Sequence, residues 1–275
     1  MKKSIFSPVT LILSVLSMAI LLSACGAVPL TGRRQLLLVS DQEIYEAGLT
    51  QYNSYVASAT LSSDASSSAM VKSVGKKLAD ATELYLVKNG LSSELKNFAW
   101  EFNLVKDDQV NAFCMPGGKI VVYEGLLTVA KTEAELAVVL GHEIAHAVAK
   151  HSNERMSQQM IAEYGMAIVG AALSEKSVAV QNLGTTVFGL GAQVGLMLPY
   201  SRKHEYEADY MGIVFMELAG YDSSSALDFW TKMAAGNSGG SDLLSTHPSD
   251  GKRIAELKMR IPEAKSLAAS FASGN

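Results

Sequence analysis

Gly141-His142-Glu143-Ile144-Ala145-His146 sits inside a longer run, Glu133 to His151, with apolar residues at Leu136, Val139, Leu140, Ile144 and Val148. Their spacing of three and four, the lack of proline and a capping candidate at Thr132 predict a helix from about Glu133 to about Lys150. Residues four apart on a helix share a face, so His142 and His146 can point at one ion, with Glu143 beside them. This is the H-E-x-x-H pattern, in which two imidazoles bind zinc and the carboxylate takes a proton from the attacking water. With five histidines in 275 residues, the pattern arises by accident in on the order of one chain in two hundred. A third ligand is therefore needed before the reading stands.

The segment Ser201-Arg202-Lys203-His204-Glu205-Tyr206-Glu207-Ala208-Asp209 runs into an apolar helical pattern at Met211, Val214, Phe215 and Leu218. Glu205 and Asp209 are four apart and share a face of that helix. A catalytic zinc site takes three protein ligands and keeps one position open, and a metal-bound histidine usually donates its other N–H to a carboxylate. Glu205 fits as the third ligand and Asp209 as the acceptor behind a ligating histidine. Glu207 lies roughly 200° around the helix from Glu205 and should face away. The alternative plan, a third histidine six residues after the second, finds Ser152 there, and Ala149 where it needs a glycine. His151 is one residue out of place and reads as a surface histidine or one that supports a ligand from behind. The expected site is one Zn(2+) per chain on His142, His146 and Glu205, with Glu143 as base.

A net charge of −4 and 48% hydrophobic residues suit one globular domain with a sizeable core and offer no basic face for nucleic acid. Met1-Lys2-Lys3 followed by the apolar stretch Val9 to Leu22 has the form of a secretion signal, too short for a comfortable membrane span. Leu22-Ser23-Ala24-Cys25 resembles the bacterial lipobox, cut before Cys25 so that this cysteine carries lipid. An ordinary secretion signal is the alternative. The expected organisation is a signal peptide over 1–24, a lipidated tether over 25–39 and a catalytic domain over 40–275, anchored but otherwise soluble. Gly26, where an Asp would favour the inner membrane, points to the outer membrane, facing the periplasm. Cys114, the other cysteine, reads as a buried small hydrophobe.

The rest of the chain places these residues on a mainly α fold with a small β-sheet, an α+β architecture. Ser40-Asp41-Gln42-Glu43 has the form of a capping box and opens a helix to about Val56; a Ser-rich loop spans Leu61 to Ser68, and a second helix Ala69 to Val87. Phe98, Trp100, Phe102 and Leu104 alternate as in a strand, and Lys119 to Tyr123 reads as another. Asn111-Ala112-Phe113 fits a short edge strand or loop beside the zinc helix; such an edge can take an extended peptide by main-chain hydrogen bonds, or simply support the helix. Met160 to Leu173 and Val178 to Leu198 are apolar and Gly-rich, and read as buried helices or a lid more readily than as membrane spans. Asp222 caps a helix over Ser223 to Ala235, Gly236 to Ser241 is a flexible loop, and a last helix begins near Asp250. Between them, Ser245-Thr246-His247-Pro248 puts a histidine in a loop that either is an ordinary turn or reaches the cleft, as an oxyanion donor or as an occupant of the open zinc position at rest. Arg202 is the other candidate oxyanion donor.

Together these residues resemble the zinc metallopeptidase family that includes HtpX and the CAAX prenyl endopeptidase, in a periplasmic lipoprotein branch. The resemblance rests on Thr31-Gly32-Arg33-Arg34-Gln35-Leu36, Asn111-Ala112-Phe113 with Pro116-Gly117-Gly118, and Gly125-Leu126-Leu127. It rests also on His142 to His146, Ser201 to Asp209 and Thr246-His247-Pro248. It implies a mainly helical gluzincin domain with His142, His146 and Glu205 on zinc and Glu143 as base. It also implies an endopeptidase for quality control, whose substrates are misfolded or unassembled envelope proteins. A zinc-holding assembly factor or chaperone-like lipoprotein with little proteolysis is the other reading.

Overall fold

A computed structural model describes residues 25–172, 201–235, 243, 247 and 251–273. The expected signal peptide over 1–24, Val178 to Leu198 and the loop expected over Gly236 to Ser241 lie outside the described residues. Among the described residues the elements run β1 (Cys25–Ala27), β2 (Arg34–Leu36), α1 (Asp41–Ser58), α2 (Ala65–Lys88), a 3-10 turn (Ser92–Asn97), β3 (Glu101–Val105), β4 (Ala112–Met115) and β5 (Lys119–Tyr123). Then come the short α3 (Glu124–Leu127), α4 (Glu133–Val148), α5 (His151–Ala172), α6 (Arg202–Leu218), α7 (Ser225–Ala235) and α8 (Gly251–Ser273). Among the described residues no helix is long and apolar enough to cross a membrane.

Helix α4 is the central element. Thr132 and Glu135 close a reciprocal capping box at its start, which satisfies two of the free N–H groups of the first turn, and from Leu136 onward nearly every side chain is buried. The helix stops at Val148 because Lys150 adopts a left-handed backbone (φ 56°). Its ammonium is held 2.7 Å from Asp41 and 2.8 Å from Glu94. This sharp turn starts α5 at His151 and folds that histidine back beneath His146.

The three-stranded sheet runs β3-β5-β4, with β3 parallel and β4 antiparallel to β5. Its alternation divides the core. Phe102, Leu104, Ile120 and Val122 face α2 and α4, with Val74, Leu78, Leu136 and Leu140, whereas Phe113, Met115, Val121 and Tyr123 face α1 and α5, with Tyr52 and Met156. Burying Ile120 and Val122 completely contributes about 2 kcal/mol each. The strand β4 lies at the sheet edge and packs on α4, while α6 packs across α4 and α8 across α6.

Several expectations need correction. The segment over 25–39 is not a loose tether: β1 pairs with β2, and Val28, Gln35, Leu38 and Val39 are buried. Within the stretch expected to be a Ser-rich loop, α2 already begins at Ala65, because the Asp64 side chain accepts hydrogen bonds from Ser66 N and Ser67 N. The alternation at Phe98 and Trp100 is not yet strand: these rings stack on each other with centroids 4.7 Å apart, and β3 starts at Glu101.

Candidate metal centre

Helix α4 presents His142 and His146 one turn apart, and α6 lays Glu205 against them. The two Nε2 atoms are 3.0 Å apart. Glu205 Oε2 lies 3.4 Å from His142 Nε2 and Oε1 3.5 Å from His146 Nε2. His247 joins them, its Nδ1 3.2 Å from His142 Nε2 and 3.1 Å from Glu205 Oε1. All four are buried, with one ligand atom of each mutually within 4.8 Å.

Proton accounting shows what this group can hold. His142 Nδ1 is 3.0 Å from Asp209 Oδ1, so its proton belongs on Nδ1. His146 Nδ1 is 2.9 Å from His151 Nδ1, and His151 Nε2 is 3.0 Å from Glu207 Oε2. One proton fits between two ring nitrogens; the carboxylate claims the His151 proton on Nε2, so His146 is the donor at Nδ1. Both histidines then turn lone pairs toward each other and toward a carboxylate. Such convergence of acceptors is unfavourable unless a positive charge sits among them. Burial opposes charge on His142, but Asp209 and Glu205 outweigh it and lift its pKa to about 9. Burial pushes His146 well below its ordinary value. Burial works against the Glu205 charge too, yet His247, His142 and His146 hold its carboxyl well below the usual range. Two imidazoles, a carboxylate and a third imidazole are the donor set of a divalent metal site.

Glu143, next to His142, sits at the rim of this group. Its carboxylate accepts from the Cys114 N–H of the edge strand, and burial pushes its pKa up, which makes it a better proton acceptor. Its Oε1 has no hydrogen bond among the described residues and lies 3.3 Å from His247 Nε2. Cys114 itself is buried, and burial pushes its thiol well up.

Asp209 stands behind His142, gripped by Arg253 through Nη2 at 2.7 Å from Oδ1 and through Nε to Oδ2. Arg253 is fully buried and lies over the Trp230 ring, 3.6 Å from its centroid. Sequence reasoning missed this arginine; its signal was faint, a shared face with Leu257 four residues later on α8. Glu207 does face away from the metal group, as the helix geometry required, but it is buried rather than solvated and bonded to His151. His151 is fully buried, so the surface alternative for it is ruled out. Arg202 is exposed in the first turn of α6. Asn111 is buried, and its Oδ1 accepts from Ala112 N, while Ala112 and Phe113 open the edge strand β4. Leu243 N donates to Val110 O at 3.0 Å, and His247 N donates to Leu243 O at 2.8 Å. Cys25 begins β1, paired with Leu36.

The family model described as peptidase family M48 matches residues 66–261. The chain is 38% identical over 176 residues to a mitochondrial metalloendopeptidase OMA1 of Schizosaccharomyces pombe, covering 63% of this chain and 50% of that protein. It is 42% identical over 165 residues to the mitochondrial metalloendopeptidase OMA1 of Arabidopsis thaliana, 59% of this chain and 32% of that one. To a β-barrel assembly-enhancing protease of Yersinia pestis it is 30% identical over 176 residues, 60% of this chain and 35% of that one. The chain thus spans about half or less of the length of these relatives.

Proposed function

The chain belongs to peptidase family M48, and from that premise we propose that it is a zinc-dependent endopeptidase that cleaves misfolded or unassembled proteins of the bacterial envelope. The observation that carries the reading is the buried Glu143 carboxylate, one oxygen unbonded among the described residues, beside four converging metal donors. Zinc on His142, His146 and Glu205 would supply Lewis acidity, which activates water and polarises a carbonyl. Glu143 takes the proton of the attacking water and returns it to the leaving amine. Asp209 fixes the His142 tautomer. Asn111 to Phe113, where β4 begins, would take an extended peptide along the site by main-chain hydrogen bonds.

The envelope address is supported by the basic and apolar start of the chain and by Cys25 in its lipobox setting, which favour a lipid anchor in the outer membrane with the domain facing the periplasm. Similarity to a protease named for enhancing β-barrel assembly agrees with that address, whereas the mitochondrial relatives are named for another compartment. Treating the full chain with a chelator should remove one zinc per chain and stop hydrolysis of unfolded casein, and adding zinc back should restore it. A chain that binds no zinc, or cleaves equally well without it, would refute the reading. Zinc bound with no cleavage would favour an assembly factor.

His247 is best read as a resting occupant of the fourth position. It lies against Glu143 and Glu205 at the metal group, and it donates to the carbonyl of Leu243, whose own N–H meets Val110 beside the edge strand. His247→Ala should therefore raise casein hydrolysis by about threefold or more, as removal of a gating contact does. A fall in turnover would instead make His247 the oxyanion donor.

A further inference from the structure

We propose that Arg33 and Thr31, on the hairpin that leads in from Cys25, are positioning residues for the zinc ligand His146, acting through Glu207 and His151. The inference rests on the zinc reading above. The two ligating histidines are backed in parallel ways. Behind His142 stands Asp209, held by Arg253. Behind His146 stands the imidazole of His151, and behind it Glu207, held by Arg33. The second arrangement is the first lengthened by one ring.

Each link is specified by geometry. His146 Nδ1–H donates to His151 Nδ1 at 2.9 Å, and His151 Nε2–H donates to Glu207 Oε2 at 3.0 Å. Glu207 Oε2 also receives Arg33 Nε at 2.7 Å, and Oε1 receives Thr31 Oγ1 at 2.5 Å. The other edge of the Arg33 guanidinium forks onto Glu154, Nη1 at 2.9 Å and Nη2 at 2.6 Å. Glu154 is in turn bonded to His204 at 3.0 Å. One arginine thus ties two carboxylates together, Glu154 on α5 through its rigid fork and Glu207 on α6 through Nε, with Thr31 holding the other Glu207 oxygen. A carboxylate fixed at Glu207 fixes the His151 ring, and His151 fixes both the tautomer and the orientation of His146. Groups of this kind behind a metal ligand set affinity as strongly as some ligands do.

A hairpin that merely staples α5 to α6 would affect stability and leave metal affinity alone, and this separates the two roles. The experiment measures zinc affinity of the full chain by chelator competition, and melting of its zinc-free form, for His151→Leu, Arg33→Met and the double variant. Asp64→Ala serves as control, because it removes the side-chain cap of α2 and touches neither a ligand nor the residues behind one. His151→Leu should weaken zinc binding by roughly 10–100-fold, and Arg33→Met by about tenfold. The double variant should lose little more than His151→Leu alone, because both act through one line. Asp64→Ala should lower the melting point with zinc affinity unchanged. Should Arg33→Met fail to fold, Thr31→Val removes one hydrogen bond to Glu207 and should weaken zinc binding by about threefold. Unchanged affinity in the single variants, losses that track the melting point as in the control, or independent losses that multiply in the double would each overturn the inference. A wild-type chain that binds no zinc would bring down the metal reading itself, a failure distinct from variants that bind as wild type does.

Discussion

Glu143→Gln is expected to lower hydrolysis of unfolded casein by roughly a thousandfold, the scale of a lost general base, while one zinc per chain remains bound. The replacement is isosteric, so the helix and the neighbouring ligands need not move. The Gln carbonyl oxygen can still accept from the Cys114 N–H that now meets the Glu143 carboxylate. What it cannot do is take a proton, because the amide has no basic lone pair to match a carboxylate in a buried site. Fold stability should hold or rise slightly, since a buried ionised group is replaced by a neutral one. Cleavage at the wild-type rate would remove Glu143 from its role, and loss of zinc along with activity would make it a structural support of the site instead.

The parts of this site that were legible in the sequence are those whose geometry is set within one helix. His142 and His146 are one turn apart by spacing alone, and so are Glu205 and Asp209; no tertiary knowledge is needed to put each pair on one face. The capping box at Ser40 and Glu43 and the β-branched strand Lys119–Tyr123 are local in the same sense. Arg253 was not legible because its meaning comes from a carboxylate 44 residues away, and an arginine on a helix is ordinarily solvated. Arg33 is the extreme case: in a turn-rich stretch it reads as tether, yet its partners Glu207 and Glu154 lie 174 and 121 residues downstream. His151 fell between the two kinds. Its distance along the helix was counted correctly, but the left-handed turn at Lys150 breaks the helix that the count assumed and swings the ring underneath His146.

A second large effect is expected from Gly212→Val. A glycine inside a helix costs about 1 kcal/mol relative to alanine, so Gly212 in α6 and Gly141 in α4 call for a reason, and the reason is contact between them. A Cβ on Gly212 would stand 3.0 Å from the carbonyl carbon of Gly141 and 3.0 Å from His142 N; one on Gly141 would stand 3.0 Å from Gly212 O. The two helices therefore meet backbone to backbone, and neither surface can yield as a side chain can. That crossing also sets the metal site, because His142 follows Gly141 directly and Asp209 lies three residues before Gly212. Valine adds two methyl groups beyond the Cβ, so α6 must move off α4 and take Glu205 and Asp209 with it. We expect a destabilisation of about 3 kcal/mol by chemical denaturation, typical of an overpacked core, together with a loss of zinc affinity of about tenfold or more. Gly251→Ala, where an added Cβ meets open space, should change neither. A Gly212→Val chain as stable as wild type, with zinc held as tightly, would show that the approach of the two helices is not what fixes the distance between the histidines and Glu205.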